Sequence, residues 1–204
     1  MSTKASNRKK QKQKQERVQE HLFIAAHFGY VEQLQKMIDL GVNIHAVDSL
    51  NLTALHAAAI RLESEQSDDL IVGAADCVQM LIDAGISVDA LDYTQSTALM
   101  RAAESGQLSV LDVLINNHAK LDFQGVNGLT ALHVAAICGH ADAVQRLLDA
   151  GADWSILDVQ DRMPEEVALN DDIRFMIQQH RTNAEAEDLR GTIGDFPSMP
   201  RHTP

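Results

Sequence analysis

Apolar residues recur along this chain at i, i+3 and i+4, the spacing that lines one face of a helix, and they come as pairs of stripes. The first stripe of each pair reads Leu22/Ala25/Ala26, Leu55/Ala58/Ala59, Leu99/Ala102/Ala103 and Leu132/Ala135/Ala136. The second reads Leu34/Met37/Ile38, Val78/Leu81/Ile82, Leu111/Leu114/Ile115 and Val144/Leu147/Leu148. Between the stripes lies Gly29, Gly73, Gly106 or Gly139, a residue able to turn the chain sharply. After the second stripe comes Gly41, Gly85 or Gly151, where helices commonly stop on a left-handed residue. The pattern predicts helix, tight turn, helix, glycine stop and extended connection, repeated along the chain.

The repeat is regular. Thr130 follows Thr97 by 33 residues, and Thr97 follows Thr53 by 44, which is one period plus an eleven-residue insertion. A single helix pair cannot bury both of its faces, whereas stacked pairs can. Each fully buried Leu or Ile contributes about 1.5–3 kcal/mol, so a stack offsets the ordering entropy that one pair cannot. The small Ala pairs let neighbouring first helices approach closely.

Thr130-Ala-Leu-His-Val-Ala-Ala, Gly139-His140 and Leu147-Leu148-Asp-Ala-Gly151-Ala152 resemble the ankyrin-repeat signature, over residues 20–180 or so. The resemblance implies an all-α solenoid of about five stacked helix-turn-helix units with short hairpin-like connections. The expected units are 18–47, 48–91 with an insertion at 60–72, 92–124, 125–157 and a C-terminal cap at 158–181. It further implies that Thr53, Thr97 and Thr130 cap first helices, a role their residue type also supports, and that His56 and His133 brace neighbouring loops. Gly106, Gly139 and Gly151 complete the signature. Three departures stand out. Ala54, Ala98 and Ala131 replace the usual proline, Met100 replaces the bracing histidine of the third unit, and the fifth unit reads Met163-Pro164-Glu165-Glu166 with a shortened second helix, Ile173/Met176/Ile177.

In that family partners bind the concave face, made of hairpin tips and first helices. Carried over by position, the tips are Ser49, Leu50 and Leu52; Tyr93, Thr94 and Ser96; Val126, Asn127 and Leu129; Val159, Gln160 and Arg162. The first helices add Ile24, His27, Phe28, Arg101, Glu104, Val134 and Ile137. Apolar residues recur at tips where the fold does not demand them, and Leu52, Tyr93, Val126 and Leu129 would form an exposed row of the kind that marks interfaces. The alternative is that hairpins pack on one another and bury part of it. The resemblance implies a non-catalytic adaptor or regulator that binds a protein. A nuclear regulator, or an effector secreted by a bacterium into a host cell, would use the same solenoid.

Charge divides the chain. Residues 1–17 hold seven basic residues and one acid, and the other 187 hold ten basic and 28 acidic. The acidic body disfavours nucleic acid, leaving only the arm around Arg8-Lys9-Lys10-Gln11-Lys12-Gln13-Lys14 for polyanion contact, nuclear import, or no more than solubility. The insertion 60–72 reads as a soluble bulge, equally a neutral one or a partner site. From Thr182 the chain carries Pro197, Pro200 and Pro204 and few apolar residues, which predicts a disordered tail through residue 204; its Glu185/Glu187/Asp188 cluster resembles acidic export signals of bacterial effectors.

No apolar stretch approaches the ~20 residues of a membrane span. Two thiols without a secretory leader are expected to stay reduced, so a cytoplasmic monomer is expected. His133, Cys138 and His140 lie within eight residues, but the histidines occupy signature positions, and no CxxC, HExxH, GxSxG or P-loop occurs. No catalytic residue, metal or cofactor is expected. Finally, His118 stands in the glycine-stop column and Gln95 in the column of Gly128, with Asn51 and Asp161, so these four are expected at positive φ.

Overall fold

The computed structural model describes residues 17–60 and 73–193. The basic arm, apart from Arg17, lies outside the described residues, as do nearly all of the insertion and the end of the tail. Among the described residues every regular element is helical.

Helix α1 is described over 17–27 and pairs with α2 (Val31–Asp39); α3 (Ala54–Ala59) pairs with α4 (Ala74–Asp83). Then come α5 (Ala98–Ser105) with α6 (Leu108–Asn116), and α7 (Ala131–Cys138) with α8 (Ala141–Asp149). The last helix, α9, is Asp171–Ile193. First helices pack on first helices and second on second, so the pairs stack in sequence order.

The stripes are the seams of this stack. Every member of the four first-helix stripes is at most 2 % exposed. Leu34, Val78, Leu81, Leu111, Leu114, Val144 and Leu147 are fully buried, while Met37, Ile38, Ile82 and Ile115 lie half-buried at the edge. Each first helix in the middle of the stack starts at its threonine: the Oγ1 atoms of Thr53, Thr97 and Thr130 accept from the amides of His56, Met100 and His133. That satisfies one of the donors a helix N-terminus leaves unpaired. The hydroxyl suffices without the proline.

Positive φ occurs where expected, at Asn51 (54°), Gln95 (55°), His118 (60°) and Asp161 (57°). Gly73 departs from its column. It caps the start of α4 at φ −95° instead of turning left-handed, because the chain reaches it from the insertion. It is glycine for space: a Cβ there would lie 2.1 Å from the Gly29 carbonyl oxygen.

Two expectations at the C-terminal end are corrected. Residues 164–167 form turns with no first helix, and Glu166 reaches back to accept from the Met163 amide at 2.7 Å. The second helix is long instead of shortened: α9 has 23 residues, so the tail expected to lack structure from residue 182 is helical as far as Ile193. Ile173 and Ile177 anchor α9 in the core. Arg181 ties it down twice, donating to Glu165 Oε1 at 2.7 Å and lying 5.9 Å from the Trp154 ring centroid.

Candidate protein-binding face

The tips are shaped by a carboxylate that the sequence reading missed. Asp48 Oδ1 accepts from the amides of Leu50 and Leu52, Asp92 Oδ1 from Thr94 and Ser96, and Asp158 Oδ1 from Gln160 and Arg162, all between 2.8 and 3.1 Å. The signal was present: Asp48 and Asp92 stand five residues before their threonines, and Asp158 five before Met163. Gly125 stands in the fourth position, and there the tip tightens into a 3-10 turn, Val126–Gly128, with both Asn127 and Gly128 at positive φ.

Asp92 and Asp158 are buried, and each is neutralised by an arginine. Arg101 donates through Nε (2.8 Å) and Nη2 to Asp92 Oδ2, through Nη2 to Thr94 and through Nη1 to Glu104. Burial alone would raise the Asp92 pKa, but the Ser96 amide, Arg101 and Thr94 together hold it below the ordinary value. The Arg162 side chain, opposed by desolvation and aided by backbone donors, lowers Asp158 to about 2. Both tips therefore stay ionised and fixed near neutral pH.

Histidine ties two of the tips, 92–96 and 158–162, to the first helix of the unit before. His56 Nδ1 accepts from the Thr53 amide (3.3 Å), so its proton sits on Nε2, which donates to Ser96 O at 3.0 Å in the next unit. His133 repeats this with the Thr130 amide (3.2 Å) and Arg162 O (3.2 Å). Burial depresses the pKa of both rings, holding them neutral.

On this frame the structure brings the predicted apolar tip residues onto one face. Leu50 is 45 % exposed, Tyr93 59 %, Val126 49 % and Val159 68 %, with Ile24 and Ile137 exposed on first helices beside them. Ser49, Glu104, Asn127, Gln160 and Arg162 are exposed too. Leu52, Leu129, Ser96, Thr94, Arg101, Val134, His27 and Phe28 are half-buried, so Leu52 and Leu129 contribute less to the row than Leu50 and Val159. Neighbouring tips bond directly: Tyr93 N donates to Leu50 O (3.1 Å) and Val159 N to Asn127 O (3.0 Å).

The chemistry of the remaining candidates is spent on structure. His133 and His140 bond the Arg162 and Glu104 carbonyls. Burial raises Cys77 to about 11 and raises Cys138 as well, so both are protonated thiols near neutral pH. Among the described residues no three His, Cys, Asp or Glu side chains could hold a metal ion, and no helix is long and apolar enough to cross a membrane.

The family description "Ankyrin repeats (3 copies)" matches this sequence over residues 22–124 and again over 70–158, well over half of the chain. The chain is also 33% identical, over 122 residues, to an E3 ubiquitin-protein ligase, XBAT32, of Arabidopsis thaliana. That alignment takes in 59% of the chain and spans about a fifth (21%) of the length of that relative.

Proposed function

Because the chain belongs to the ankyrin-repeat family, we propose that it is an adaptor or regulator that holds a protein partner on the face built by its tips and first helices, without chemistry of its own. The observation that carries this reading is the exposed apolar row Leu50, Tyr93, Val126 and Val159, held out on tips whose backbones are fixed by an aspartate carboxylate in three units and by a 3-10 turn in the other. Rigid tips lose little entropy on binding, and apolar side chains at their ends gain by desolvation. The polar residues between them set which partner fits. The similarity to part of a plant ubiquitin ligase covers the repeats alone, so no ligase activity is carried over. A cytosolic setting rests on the two free thiols and the sequence reading.

The test is affinity purification with mass spectrometry, comparing wild type with Leu50→Ser/Tyr93→Ser/Val159→Ser. The variant should keep its helical signal and lose the captured protein. Capture at wild-type level would remove this face from consideration.

A further inference from the structure

The outer side of the stack, built by second helices, carries a feature that partner binding on the tips does not use. Among the described residues, side chains bridge its helix seams in two places. Between α6 and α8, Arg146 Nη1 donates to both oxygens of Asp112 at 2.9 and 2.7 Å. Between α4 and the end of α6, Asn117 Nδ2 donates to Gln79 Oε1 at 2.8 Å. Between α2 and α4, among the described residues, no side chain bridges at all: Met80 occupies the repeat position of Arg146, and Gln35 that of Asp112. A groove of about 450 Å³ stays open there, floored by Ile38 and Met80 and rimmed by Gln35, Gln79, Asp76 and Asp83. Both carboxylates are exposed. Asp83 accepts only from Gln79, and neither meets a cation among the described residues.

We propose that this groove is the docking site of the chain's own basic arm, Arg8–Lys14. Charge, reach and pattern support it. The arm to residue 17 carries +6 against a body of −18, and lysine stems lie well over an apolar floor while their ammonium groups reach carboxylates. The turn at 28–30 folds α2 back along α1, so Arg17 stands at the end of the hairpin where Asp39 closes α2, beside the end of α4 that holds Asp83. From there an extended segment covers ~3.3 Å per residue, ample to cross to the groove. Lys10, Lys12 and Lys14 alternate with Gln11, Gln13 and Gln15. In an extended backbone alternate residues share one side, placing Lys10 and Lys14 ~13 Å apart, close to the ~10 Å between Asp76 and Asp83 two helical turns apart. Docking supplies in cis the cation that Arg146 supplies two seams further on.

The test is zero-length carbodiimide cross-linking of the full chain at low ionic strength, with linked peptides mapped by mass spectrometry. The expected links join Lys9, Lys10, Lys12 or Lys14 to Asp76 or Asp83 within one chain, and fall several-fold in about 0.5 M salt, where screening is strong. Met80→Arg restores a built-in cation and should lower these links several-fold, while a small free amine still labels both carboxylates. Links concentrated on Asp112, Asp142 or Asp149 would overturn the proposal. So would links found only between two isotopically distinguished chains, no links at all, or a yield unmoved by Met80→Arg.

Discussion

The seam between the second and third units and the seam between the third and fourth are built from the same repeat, yet only the first is fastened at the tips. The former is fastened at the tips, by His56 to Ser96 O, Tyr93 N to Leu50 O and Asn51 Nδ2 to Leu91 O, and on the outer side by Asn117 Nδ2 to Gln79 Oε1. In the latter Met100 stands where the histidine would be, packed against Gly125, and no backbone hydrogen bond among the described residues joins the tips 92–96 and 125–129. Its fastenings lie at the far end and the outer side: His140 Nε2 to Glu104 O at 2.9 Å, and Arg146 to Asp112. A seam held at one end is a hinge. The binding face should therefore open most readily between Tyr93 and Val126.

The largest expected effect tests whether the columns are seams at all. Leu132→Asp places an unpaired charge at a position with no exposure, beyond the ~2–5 kcal/mol that removing a buried leucine costs, and should abolish cooperative unfolding by circular dichroism. Removing a tip fastening comes next. His56→Ala leaves the Thr53 amide without its partner and removes one of the two donors to the Ser96 carbonyl, the Asp92 amide remaining, and should cost about 1–3 kcal/mol in denaturant unfolding. The reverse change, Met100→His, offers the Leu129 carbonyl a donor and should add about 0.5–1.5 kcal/mol, with slower hydrogen exchange at the Val126 tip. An unchanged exchange rate there would dismiss the hinge.

Acid should act on the same fastenings. The unfolded chain protonates His56 and His133 near 6.5, whereas burial lowers the folded values. Their contribution is therefore whole above 6.5 and is lost as pH falls through that value toward the depressed folded one. Melting temperature should drop over that interval, and His56→Met/His133→Met should flatten the drop. The smallest effect belongs to His118→Gly. At φ 60° the imidazole-bearing residue is strained, and glycine should raise stability by several tenths to about 1 kcal/mol.

The columns Leu22 to Leu132 and Leu34 to Leu147 were legible because apolar periodicity is the direct imprint of burial. So were the strained positions, since a residue with a Cβ in a glycine column can only follow the chain. The length of α9 was not legible. From Gln178 to Asn183 the chain reads polar, and the run Ala184-Glu185-Ala186 favours helix by propensity, a signal periodicity does not register. Asp48, Asp92 and Asp158 escaped notice because an acid in a loop looks solvated until its amide partners are located. At the face itself, chain order could nominate Leu52 and Leu129 but could not tell that their side chains lean inward while Leu50 and Val159 lean out.

Those three aspartates have a further consequence. Each one grips its loop by main-chain amides, so the apolar residues it encloses, such as Leu50 or Tyr93, have little part in setting the path of the backbone. Their identities can be exchanged while the scaffold stays as it is, and a change of recognition then needs substitution of only a few residues per loop.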